Sequence, residues 1–158
     1  MADFRSVLSE PAGPAYLRLL AFAESRATTF SLVWREQLDF ARSAESVDAS
    51  LRPFLEREVR TSKWPGTRLI GHFAIVRFYR VTPVSVEIIA RASGLYAWVA
   101  PQLPEDLAFY AADGGCWLWS VAHERDSFVA LDPKDLKALR AAVPTLDLSD
   151  PRSSETKR

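Results

Sequence analysis

Histidines and carboxylates are the side chains most able to do chemistry in this sequence, and their spacing offers little. His72 and His123 belong to no metal-binding pattern: there is no His-Glu-x-x-His, no cluster of cysteine with histidine and no Asp-rich calcium loop. One constellation stands out. Glu105, His123 and Glu124, with Asp126 close by in sequence, would come together if they lay at neighbouring strand ends, and an imidazole among carboxylates can bind a small ligand or pass a proton. Charged residues at a hairpin tip are more ordinarily solvated turn residues. The remaining carboxylates, at Asp106, Asp113, Asp132 and Asp135, are not placed by spacing on two sides of a substrate. Gly114-Gly115 lacks the following lysine and hydroxyl residue of a phosphate loop, and no serine occupies a Gly-x-Ser-x-Gly elbow. The single cysteine, Cys116, excludes an internal disulfide and a multi-cysteine zinc site, and its apolar surroundings fit a buried, inert thiol. No metal and no cofactor is expected, and enzymatic activity has no anchor.

The aromatic residues carry more information. Trp117 and Trp119 are two residues apart, so in a regular strand they share a face with Val121, opposite Cys116, Leu118 and Ser120. Either that strand is covered on both sides or the pair belongs to an exposed patch, and large exposed aromatics mark partner surfaces. Trp64, beside the Pro65-Gly66 turn, is a third aromatic that a loop can leave accessible. Trp64, Trp117, Trp119, Glu124 and Asp126 are therefore the candidate contacts for a protein partner, and Glu105, His123 and Glu124 the alternative ligand site. Arg77 and Tyr79 share a strand face with Phe73 and Ile75, a pattern that can stack single-stranded nucleic acid. Twenty basic residues balance twenty acidic ones, however, so nucleic acid is not expected and Arg77 should instead reach a carboxylate.

These residues must be positioned by a mixed set of elements. The segment 103–131 holds three apolar runs broken at Asp113-Gly114-Gly115 and at 123–126, which predicts a three-stranded antiparallel meander. Upstream, Tyr16, Leu17, Leu19, Leu20 and Phe22 form a helical stripe after Pro14, and Phe30, Leu32 and Trp34 alternate as in a half-buried strand. Ser43 or Ser46 can cap a second helix through Val47, Leu51 and Phe54, kinked or split by Pro53. The charged stretch 56–63 reads as a solvated face. Residues 71–80 form the strongest strand, expected to be central, followed by a helix opened by Thr82-Pro83 and closed by a left-handed Gly94. Residues 95–100 read as an irregular crossing, and Asp132-Pro133 opens the last helix. The expected fold is α+β: one domain over 1–148 with a loose arm at 1–13, a disordered tail at 149–158, and helices on one face of a mainly antiparallel sheet of about five strands.

A chain of 158 residues that is 48% hydrophobic and 25% charged can bury a proper core and is far from the disordered class. No basic start with an apolar run marks a secretory signal, and no window nears the roughly twenty apolar residues of a membrane span, so a cytoplasmic protein without membrane contact is expected. The peptides Lys63-Trp64-Pro65-Gly66-Thr67-Arg68-Leu69-Ile70-Gly71-His72, Leu103-Pro104-Glu105-Asp106-Leu107 and Trp117-Leu118-Trp119-Ser120-Val121-Ala122-His123-Glu124 resemble small stand-alone bacterial proteins of unknown function, over residues 28–131. That resemblance brings no catalytic residues with it. In size and build such proteins are similar to the immunity proteins that bacteria pair with polymorphic toxins. The expectation is thus a non-enzymatic module that binds a protein partner, a toxin or effector. The alternatives are a small enzyme or ligand-binding protein at His123 and Glu124, and a structural subunit joined to copies of itself.

Overall fold

Stretches of period two and of period 3.6 alternate along the chain, and the elements follow that order. In the computed structural model, which describes residues 3–152, they are β1 (Arg5–Ser6), α1 (Pro14–Arg26), β2 (Thr29–Arg35), α2 (Arg42–Leu51), β3 (Leu55–Thr61), β4 (Lys63–Trp64), β5 (Thr67–Arg68), β6 (Ala74–Arg80), α3 (Pro83–Ile89), β7 (Glu105–Tyr110), β8 (Cys116–Val121), β9 (Asp126–Val129) and α4 (Pro133–Ala142). Seven strands form one sheet in the order β1-β9-β8-β7-β2-β6-β3, every neighbouring pair antiparallel, and β4 and β5 make a separate two-stranded ribbon. The α+β class stands, with two strands more than the five expected.

Those two lie at the sheet's edges. The stretch read as a loose arm contains β1, which pairs Arg5 with Val129 and Ser6 with Phe128. Its outer side is covered by the end of the expected domain and the start of the expected tail: the Leu8 amide donates to the Asp147 carbonyl at 2.8 Å and the Ser149 amide to the Ser6 carbonyl at 2.9 Å. The rest of that tail, 153–158, lies outside the described residues. The charged stretch read as a solvated face is β3, the strand at the opposite edge. β6 therefore lies next to last, between β2 and β3, and β7 takes the centre.

Local chemistry explains where the helices begin. Pro14 fills the first turn of α1, and Tyr16, Leu19, Leu20 and Ala23 recur at helical spacing as its buried stripe. Thr82 and Ser85 cap α3 reciprocally, each side chain accepting from the other's amide, and the Asp132 carboxylate accepts from the Asp135 amide to open α4. Two cap expectations fail. α2 starts after Ala41, and Ser43 instead donates to the Gln102 carbonyl at 2.6 Å. α3 stops at Ile89, five residues before Gly94, whose φ of 178° is ordinary extended backbone. Pro53 splits its segment as anticipated: α2 ends at Leu51, and a single 3-10 turn at Arg52–Phe54 leads directly into β3.

The sheet separates two cores. On one face Phe30, Leu32, Tyr79, Leu107, Phe109, Leu118 and Val129 pack with residues of all four helices and with Trp98. On the other face Val33, Ala74 and Val76 pack beneath Trp64, with Leu69 and Phe78 at the margin. Helices thus occupy one face, as expected, and the β4–β5 ribbon crosses the other.

Candidate binding face

The ribbon-covered face gathers Trp64, Glu105 and Trp119 of the residues singled out by sequence, and two irregularities in the pairing of β7, one with β2 and one with β8, arrange it. Between Ser31 and Val33 of β2 the register slips, so that Ser31 faces Ala108 while Val33 faces Glu105. The additional residue belongs to β7, and Asp106 takes a left-handed φ of 58°, which aspartate tolerates better than most residues. A bulge of this kind re-aims a side chain. Alternation would send Glu105 and Asp106 to opposite faces; instead both carboxylates work on the ribbon side. Asp106 accepts from the Trp64 indole nitrogen at 2.9 Å through Oδ2 and from the Ala122 amide at 3.0 Å through Oδ1. It is a fastening: the ribbon's one large aromatic is tied to the middle of the sheet.

Gly66 completes the fastening. It has a φ of 85° in the turn between β4 and β5, and a Cβ there would lie 2.8 Å from Val121 Cγ2 and 3.0 Å from Trp119 Cδ1. Only glycine lets the turn lie this close to β8. Glu105, 2% exposed, keeps Oε1 without a hydrogen bond, and the guanidinium of Arg35 stands 3.6 Å away. Burial pushes the carboxyl pKa of Glu105 up, as does the charge of Asp106, against the opposing pull of Arg35. Burial also raises that of Asp106, opposed by the bonds from Trp64 and Ala122. Adjacent buried acids of this kind can serve as proton donors in active sites. Here both oxygens of Asp106 are engaged, and none of the cavities described below is lined by Glu105, His123 or Glu124.

The second irregularity separates the tryptophans. A bulge between Phe109 and Tyr110 sets Leu118 opposite Phe109 but Cys116 opposite Tyr110, so the expected shared face for Trp117 and Trp119 does not form. Trp117, 4% exposed, is on the helix side, edge-on to Phe22 of α1 and stacked on Phe109 at 5.9 Å. Trp119 is on the ribbon side, half-buried and stacked on Phe128 at 5.5 Å, with Phe4 at 5.8 Å. Trp64 is buried by its bond to Asp106. Glu124 and Asp126 are exposed at the turn between β8 and β9, and His123 Nε2 comes within 3.8 Å of Glu124 Oε1. Cys116 is held as a thiol, its pKa pushed up to about 12 by burial. Arg77 meets the expectation of a carboxylate partner twice over, at 2.7 Å from Asp48 and 2.8 Å from Glu58. Among the described residues, no group of three or more histidines, cysteines, aspartates or glutamates is placed to hold a metal ion, and no helix is long and apolar enough to cross a membrane.

Two features of this face went unread in the sequence. The first is a groove of about 250 Å³ between the ribbon and the end of the sheet, floored by Val59, Val76 and Phe78 and walled by Trp64 and Pro65. The charged residues lining it are Arg57 and Lys63. The second is the corner where β3 meets the loop 69–73. Ile70 is 90% exposed there, Phe73 40% and Val59 38%, half of the six large apolar side chains exposed among the described residues. Gly71, with a φ of 73°, turns the loop immediately after Ile70. The alternation of Arg57, Val59 and Thr61 against Glu58 and Arg60 was the available signal for β3, masked by charges that natural edge strands commonly carry. No family model, no curated protein and no solved structure matches the chain.

Proposed function

We infer that this protein is a binding module that acts by covering the working surface of a partner protein, in the manner of an immunity-type protein facing a toxin or effector. The observation that supports this reading is the corner at β3. Apolar side chains scattered singly over a surface need no explanation. Ile70 and Phe73 instead belong to one loop at the end of β3, where the Leu69 amide donates to the Ser62 carbonyl and the Phe73 ring lies under Arg60, and among the described residues no strand pairs with the outer side of β3. An unpaired edge flanked by apolar side chains suits a partner that adds a strand. Charge narrows the partner. Lys63 and Arg68 flank the corner without a carboxylate within ion-pair distance among the described residues, so an acidic extended segment fits best.

Of the contacts expected from sequence, Glu124, Asp126 and half-buried Trp119 remain accessible, whereas Trp64 and Trp117 support the fold from within. The reading is tested by recovering the partner with the native protein and repeating the capture with Ile70→Asp and, separately, Val59→Lys. Both side chains are exposed, so the variants should fold. Each should weaken the complex by about 2 kcal/mol or more if these residues are central to the interface. Unchanged capture by both would overturn the assignment of this face; loss on replacing Glu124 and Asp126 would move it to the β8–β9 turn.

A further inference from the structure

We propose that the groove beneath the ribbon is a binding site for a small free carboxylic acid with an apolar chain. The floor is apolar, made by Val59 of β3 and by Val76 and Phe78 of β6, and the Trp64 and Pro65 side chains wall it from the ribbon. The charge at its rim has one sign. Arg57 and Lys63 line the groove, no acidic residue does, and among the described residues neither cation has a carboxylate within 4 Å. Two other cations of the same strands are neutralised, Arg60 by Glu36 at 2.6 Å and Arg77 by Asp48 and Glu58. The guanidinium carbon of Arg57 instead sits over the Phe78 ring, 4.0 Å from its centre, and a guanidinium has five N–H donors that a ring face does not satisfy. A planar carboxylate is the partner that such a fork takes in two parallel bonds.

Size and rigidity argue for a small ligand. A volume of about 250 Å³ accommodates a chain of roughly eight carbons, below the usual range for drug-sized pockets. The ribbon wall is preformed, because Trp64 is held by Asp106 and the turn at Gly66 rests on Val121. The occupant's carboxylate pairs with Arg57 and Lys63 while its chain displaces water from Val59 and Phe78. Acid and chain are both required. The groove shares Val59 and Lys63 with the partner-binding corner, but octanoate binding is read through Arg57→Gln and partner capture through Ile70→Asp, so either reading can fail alone.

The experiment uses octanoate as probe, octanol as its uncharged counterpart, and amide chemical shifts of the full chain as readout. Saturable shifts at Val59, Thr61, Lys63, Val76 and Phe78 are expected with an affinity of about millimolar, ordinary for a ligand of roughly ten non-hydrogen atoms. Octanol should leave those amides unmoved at equal concentration. Arg57→Gln should weaken octanoate roughly tenfold, and Arg57→Gln with Lys63→Gln should abolish saturation while the rest of the spectrum stays in place. No saturable shift, equal binding of octanol, or indifference to Arg57→Gln would each overturn the proposal. An N-acetylated tripeptide ending in leucine is the last arm: if it binds the same residues more tightly than octanoate, the groove takes chain termini and the assignment to a free acid is wrong.

Discussion

At the scale of single residues, Asp106 does the most with the least. Its left-handed backbone, its bulge position and its two accepted hydrogen bonds form one unit, because only the bulge turns the carboxylate toward Trp64. Asp106→Ala should cost about 3 kcal/mol in urea unfolding, from two buried donors left without an acceptor and from alanine's poorer tolerance of the left-handed backbone. Asp106→Asn, which tolerates that backbone and keeps one acceptor, should cost less. Gly66→Ala should destabilise by about 1–3 kcal/mol, since its methyl would press on Val121 and the indole of Trp119. Glu105 makes a prediction in pH. Its folded-state pKa is raised, so protonation favours the folded chain: the contribution is complete below the unfolded value of about 4 and is lost as pH rises through the folded value. Relative to native protein, Glu105→Gln should therefore gain stability on going from pH 4 to pH 7, measured as the difference between the two proteins' urea midpoints. A constant difference across that range would show that Glu105 has the same pKa in the folded and unfolded chain.

At the scale of elements, bulges decide which side chains share a face. The strands β2, β6 and β8 were legible because apolar alternation reports a half-buried strand, and Thr82-Pro83 and Asp132-Pro133 were legible because caps act locally. The opposite destinations of Trp117 and Trp119 were not, because alternation assumes an unbroken ladder and the slip at Phe109 and Tyr110 is made by pairing with a distant strand. β3 escaped notice for a related reason: an edge strand buries little, so its pattern is written in charge rather than hydrophobicity. Gly94 looked like a helix stop although α3 had already ended. The candidate site suffered most, since the groove and the Ile70 corner are made by the ribbon folding back across the sheet, which no local pattern states. The two tryptophans provide the check. Trp117→Ala should cost about 3–5 kcal/mol and Trp119→Ala clearly less, because one empties the helix-side core and the other a half-exposed cluster. Equal costs would place both rings in the same core.

At the scale of the whole molecule, the sheet divides labour between its faces. The helix face carries the main core and with it most of the stability, while the ribbon face carries a thin core, a groove and an exposed corner. Variants on the ribbon face, such as Ile70→Asp and Arg57→Gln, should accordingly change binding without moving the unfolding midpoint appreciably. The edges are unequal too. β1 is sealed, with Phe4 and Arg152 exchanging backbone bonds at 2.8 and 2.6 Å, and β3 has no strand on its outer side among the described residues. A sheet with one closed and one open end has a valency of one. If copies of this chain meet through β3, pairing consumes the available edge on both, and growth halts at two; scattering mass at rising concentration should level off at no more than a dimer. An acidic strand added by the proposed partner would thus compete with self-association for the same edge, and neither pairing leaves an open edge of this sheet from which a fibre could grow.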